Sequence, residues 1–216
     1  MTARLLGTGA LILMFALHES ALADSIYDVT LDTSSLSGKA ATIAFDFLSG
    51  GGTQSNSISI SDFSTNGTLV AGGMNLGSVS GSLLGTATLT NASFFNELQQ
   101  GIDLSTSVAF TLDATTNGPT DGVPDTFSFL ILDPITGLSL LSTTDPTYAD
   151  SLFTLQIDGS AGGLTGIYSS QPAGSQPAVP VTLETPTSVP EPEELGLWLT
   201  ALLGVGLAMR LRRQLV

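Results

Sequence analysis

The chain has 216 residues, is 42% apolar, and sets 19 acids against five bases and one histidine, for a formal net charge of −14. That balance excludes a protein that neutralises a row of phosphates, so no nucleic-acid partner is expected; with only 11% charged residues it is not a charge-rich disordered chain either. The absence of cysteine excludes disulfides, a thiolate nucleophile and cysteine metal sites.

At the N-terminus, Arg4 precedes the apolar run Leu5 to Leu17, and Ala21 and Ala23 occupy the small-residue positions of a cleavage site. This three-part layout predicts a secretory signal peptide over 1–23, served by a translocase and signal peptidase, with Asp24 as the mature N-terminus. The run is shorter than the roughly 20 residues of a spanning helix.

Four of the acids lie outside 24–188 (Glu19, Glu191, Glu193 and Glu194), so the exported body holds fifteen acids and a single base, Lys39. Along it the pattern has period two. Tyr27, Val29 and Leu31, then Ile43, Phe45 and Phe47, then Ile58 and Ile60, alternate with polar or small residues. Val108, Phe110 and Leu112, and later Phe153, Leu155 and Ile157, repeat the alternation. Each predicts a half-buried strand. Phe127 to Leu132 is apolar on both faces and predicts a central strand. Further strands are expected near 68–71, 82–90, 138–142 and 163–168. Only Ala92 to Gln100 resembles a helix, with Asn91 as its cap and Phe94, Phe95 and Leu98 on one side. Gly and Asn/Asp pairs punctuate the runs, as at Asn66-Gly67 and Asn117-Gly118. About ten short strands with turns between them predict an all-β fold: an antiparallel β-sandwich, jelly-roll-like, over 24–169. A Pro/Ser/Thr-rich linker follows over 170–188, within which Val179 to Leu183 could add an edge strand.

The body offers little conventional catalytic chemistry. Its lone histidine, His18, belongs to the signal peptide, so the mature chain has no imidazole. Gly81-Ser82-Leu83-Leu84-Gly85 places its serine second rather than third, unlike a nucleophile elbow. Fifteen carboxylates would supply a glycosidase pair, but no spacing selects one, and no enzyme activity is expected. Asp113, Asn117, Asp121 and Asp125 form the richest oxygen cluster, interleaved with Gly118 and Gly122. Such a loop suits calcium, although its spacing is not that of an EF-hand. The competing reading is a set of turn residues bonded to their own backbone. Two glycosylation sequons, at Asn66 and Asn91, are read as chance.

The C-terminus carries Val189-Pro190-Glu191-Pro192, then the uncharged run Leu195 to Met209, then Arg210, Arg212 and Arg213. As a helix that run spans about 22 Å, short for a hydrocarbon core of about 30 Å. The arginines should stay in the cytoplasm. A Val-Pro-Glu-Pro motif, a short apolar helix and a terminal arginine cluster together resemble the PEP-CTERM sorting signal, here over 189–216. The resemblance implies an exosortase as processing partner, transient membrane anchoring through the helix, and a final place at the cell envelope or outside the cell. Segments such as Gly122 to Phe129 and Phe94 to Leu98 also resemble a recurring ectodomain of PEP-CTERM proteins, which implies export and fold but no activity.

Three function classes follow. The leading one is a structural or adhesive surface protein. The second is a carbohydrate-binding module for exopolysaccharide, for which aromatic platforms look scarce. The third is a secreted glycoside hydrolase-like enzyme.

Overall fold

A computed structural model describes residues 24–119, 122–147, 149–160, 164–168 and 178–184. The expected signal peptide with Ala21 and Ala23, the Val189–Pro192 motif, the apolar run and Arg210, Arg212 and Arg213 lie outside the described residues, as does Asp121. Among the described residues no helix is long and apolar enough to cross a membrane.

Among the described residues twelve strands form two six-stranded sheets. They are β1 (Ser25–Asp32), β2 (Ala40–Leu48), β3 (Ser57–Thr65), β4 (Thr68–Leu76), β5 (Val79–Gly81), β6 (Ala87–Thr90), β7 (Phe95–Asp103), β8 (Ser107–Ala114), β9 (Asp125–Leu132), β10 (Phe153–Ile157), β11 (Leu164–Ile167) and β12 (Val181–Glu184). The first sheet has the order β12-β1-β8-β3-β6-β5 and the second β11-β10-β9-β2-β7-β4. All the strand pairs are antiparallel.

The alternation read in the sequence places the core. Tyr27, Val29 and Leu31 of β1 and Val108, Phe110 and Leu112 of β8 are buried from the first sheet. Ile43, Phe45 and Phe47 of β2, Phe127, Phe129 and Ile131 of β9, and Phe153 and Leu155 of β10 are buried from the second. Rings from the two sheets meet at the centre: Phe45 and Phe110 lie 5.2 Å apart edge to face, and Phe110 lies 5.4 Å from Phe129. Such geometry adds about 0.5–1.5 kcal/mol per pair beyond burial. Strand β9 does run inside its sheet, between β10 and β2, as its two apolar faces imply.

The segment expected to be helical is corrected. Among 92–100 there is no helix; a turn at 91–94 leads into β7, which pairs with both β2 and β4. Local spacing lost to two ladders of main-chain hydrogen bonds and to the burial of Asn96. The Asn96 amide donates to the Phe47 and Ser93 carbonyls, and its oxygen accepts from the Ser78 N–H. Two other expectations shift. The 82–90 strand is the short β6, preceded by a turn and by β5, and 138–142 is no strand, making only an isolated bridge between Ser139 and Leu132. Strand β12 falls within the stretch expected to be a linker and pairs with β1, and Val179 just before it is buried. The compact body therefore extends beyond 169.

Candidate functional site

Residues that alternate with the core residues of the second sheet face away from the core. Thr42, Ala44, Asp46 and Leu48 come from β2, Thr126, Ser128, Leu130 and Leu132 from β9, and Thr154 and Gln156 from β10. Over part of this face lies a groove of roughly 620 Å³, within the size range of small-molecule and sugar-ring sites. Its sheet-borne surface carries Asp46, Ser128, Thr154 and Gln156, and Tyr168 contributes a phenol whose oxygen lies 3.2 Å from Thr154 Oγ1. Apolar groups at the groove are left partly in water: Phe94 is 74% exposed and Val123 64%.

Two loops help to shape the groove. Val123 and Pro124 approach Gly50, where a Cβ would fall 1.8 Å from the Val123 carbonyl oxygen, so only glycine fits. Thr147, Ala149 and Ser151 come from the long connection between β9 and β10. That connection is pinned by Asp145, whose carboxylate accepts from Thr147 N and Oγ1 and from Ser151 N. Burial pushes the Asp145 carboxyl up, but the hydrogen bonds from Thr147 and Ser151 together hold it below the ordinary carboxylate value.

The electrostatic feature of the groove is the Asp46 carboxyl, which has a second carboxyl, Glu97, beside it. Asp46 stands directly opposite Glu97 of β7 on one side and Ser128 of β9 on the other. Like charges set opposite each other in a sheet repel. Burial first, then the charge of Glu97 and a hydrogen bond to it, push Asp46 up to about 7. Asp46 therefore keeps its proton to a higher pH than an ordinary carboxyl. Glu97 also accepts from the Gln99 amide at 2.7 Å. Asp46 Oδ1 is buried without a hydrogen-bond partner among the described residues.

Of the four residues expected to bind calcium, Asp113, Asn117 and Asp125 lie among the described residues. Asp125 is buried at the start of β9 and accepts three N–H bonds: Gly50 N at 2.7 Å, and the Asn56 and Asn91 amides at 2.8 Å each. Asn56 and Asn91 flank strands of the first sheet, so this carboxylate ties the two sheets together at one end of the core. The Asn56 amide also donates to the Asn117 carbonyl, and the Asn117 amide donates to the Ser55 carbonyl, which brings Asn117 into the same network. Asp113 sits on β8 in the first sheet, flanked by Ile26 and Ser59. Burial, with Asp24 nearby, pushes its carboxyl up. Among the described residues no group of three or more His, Cys, Asp or Glu side chains is placed to hold a metal ion.

Sequence reasoning did not find the Asp46–Glu97 pair. Asp46 was visible as a polar position in β2, but Glu97 fell in the stretch read as helix, and only the β2–β7 register brings them together. Comparison with family models, with curated proteins and with solved structures found no match.

Proposed function

We propose that the chain is an exported structural and adhesive protein of the cell envelope or extracellular matrix, sorted by an exosortase, whose groove engages extracellular polysaccharide. The sheet orders support a jelly-roll-like winding for the sandwich, with β1-β8-β3-β6 facing β2-β7-β4.

The observation that carries the adhesive reading is the groove. A sugar ring has apolar faces and a rim of hydroxyls. The groove offers the matching surface: Phe94 for a ring face, and hydroxyl, amide and carboxyl groups of Ser128, Thr154, Gln156 and Asp46 for the rim. Aromatic rings supply much contact area with little loss of conformational freedom. The carboxyl pair supports binding over hydrolysis. Glycosidases set their two carboxyls about 5 Å or more apart on either side of a sugar or water, whereas Asp46 and Glu97 stand side by side on adjacent strands and, of the two, only Asp46 lines the groove. The expected result is that Phe94→Ala lowers binding to polysaccharide extracted from the producing host at least tenfold, measured on immobilised polymer. Unchanged binding would remove the groove from the reading.

The sorting half rests on the sequence of the two ends. The apolar run Leu195 to Met209 partitions into the bilayer, the arginines hold their end inside, and Pro190 and Pro192 keep the motif from continuing the helix. In a host with an active exosortase, mass spectrometry should find mature protein without the peptide containing Trp198. Replacing Pro190, Glu191 and Pro192 with alanine should leave full-length precursor in the membrane. The same intact C-terminus in parent and variant would refute sorting.

A further inference from the structure

We infer that the groove selects uncharged sugar chains and rejects polymers of uronic or sulfated sugars, with the Asp46–Glu97 pair as the element that discriminates. This rests on the polysaccharide reading of the same groove and adds the chemical class of its ligand.

Four observations lead to it. First, among the described residues Asp46 is the only carboxyl that lines the groove, and no base lines it to pair with an acidic sugar. The single base of the body, Lys39, stands just before β2 and seven residues from Asp46 along that extended strand, a distance of about 23 Å. That exceeds the screening length of about 8–10 Å at ordinary ionic strength, so Lys39 cannot offset the repulsion. Second, the remaining polar lining is neutral: hydroxyls of Thr126, Ser128, Thr154 and Tyr168 and the amide of Gln156. These groups hydrogen-bond sugar hydroxyls without asking for charge. Third, Asp46 stands directly opposite Glu97 on the neighbouring strand, so two carboxyls already repel each other beside the groove. A third carboxylate or a sulfate placed in the groove would add to that repulsion in a partly buried setting, where charges are poorly screened. Fourth, the strands that flank Asp46 offer no compensating cation. On β7 the neighbours are Glu97 and Gln99, and on β9 they are Thr126, Ser128 and Leu130.

A protonated carboxyl donates one hydrogen bond and an ionised one only accepts. Asp46, which lines the groove, can therefore meet a sugar hydroxyl either as donor or as acceptor. An uncharged chain gains that bond, whereas an anionic chain meets repulsion before it can form.

The test uses the secreted protein and two sets of immobilised polymers: neutral dextran, β-glucan and galactomannan, and acidic alginate and polygalacturonate. The parent protein should bind at least one neutral polymer ten times or more tightly than either acidic one. Asp46→Asn and Glu97→Gln should each raise the acidic-to-neutral affinity ratio at least fivefold, and circular dichroism should show that both variants keep the β fold. Acidic polymers bound as tightly as neutral ones, or a ratio unmoved in both variants, would overturn the selection while leaving groove binding intact. No polymer bound, binding indifferent to Phe94→Ala, or capture of envelope polypeptides in place of glycans would overturn both this inference and the reading on which it rests.

Discussion

Replacing Asp125 with alanine should lower the free energy of unfolding by about 3–4 kcal/mol. Three buried or partly buried donors, Gly50 N and the amides of Asn56 and Asn91, point at this one carboxylate. Each would lose its acceptor, and an unpaired buried donor costs roughly 1–3 kcal/mol. The loss extends beyond the pairs, because Asn56 also donates to the Asn117 carbonyl and accepts from the Thr115 hydroxyl. Hydrogen bonds in one network support one another. Asp125→Asn should cost about half as much. Its single carbonyl oxygen can still serve the two amides, while its NH₂ would face the Gly50 N–H. Asp28, whose exposed carboxylate accepts from the Thr111 hydroxyl, makes a control; its replacement with alanine should cost less than about 0.5 kcal/mol. Urea unfolding of the three variants is the measurement. A loss under about 1 kcal/mol for Asp125→Ala would show that the inter-sheet tie is not a main support of the fold.

The second large effect is a fall in stability as pH rises toward neutrality. The folded state raises Asp46 from its ordinary value of 3.8 to about 7. Between those values the folded chain holds a proton that the unfolded chain releases. The Asp46 contribution is therefore fully present below about pH 4 and is lost as pH rises through about 7. Between pH 5 and 7.5 the loss should approach about 2–3 kcal/mol, at about 1.4 kcal/mol for each pH unit in the window. For a body of this size that corresponds to a melting temperature lower by roughly 5–10 °C. Asp113, also raised by burial, pushes in the same direction. Asp133 and Asp158 are held low by hydrogen bonds from residues that follow them in their turns, and Asp145 is held low by Thr147 and Ser151. Their contributions are present above the ordinary carboxylate value and fade only in stronger acid, so they leave the window flat. Melting curves at pH 5 and pH 7.5 should show the slope in the parent chain and a much smaller one in Asp46→Asn. Equal slopes in both would show that the proton is not held at this pair.

Much of the sandwich could be read from period-two alternation, because a residue's face in a strand is set by its parity alone. Ile43, Phe45 and Phe47 are buried as their spacing requires, and Phe127 to Leu132 lies inside its sheet as its two apolar faces require. The all-β class and the strands around Tyr27, Ile58, Phe110 and Leu155 follow from the same rule. Where a segment's local pattern was ambiguous, tertiary pairing decided. Phe94, Phe95 and Leu98 have helical spacing, yet β7 is held between β2 and β4, where a helix would leave both neighbours with open edges. Register decided the chemistry. Asp125 looked like one ligand in a run of oxygen-bearing residues, and became an anchor between sheets only because Gly50 and Asn56 from the β2–β3 connection and Asn91 from the β6–β7 connection converge on it. Asp46 and Glu97 are distant in the sequence and unremarkable alone. A shift of one residue between β2 and β7 would turn one of them to the core and dissolve the pair. Parity along each strand belongs to the sequence by itself, whereas which residues stand opposite one another depends on how the strands align, and that alignment is set by the packing of the whole core.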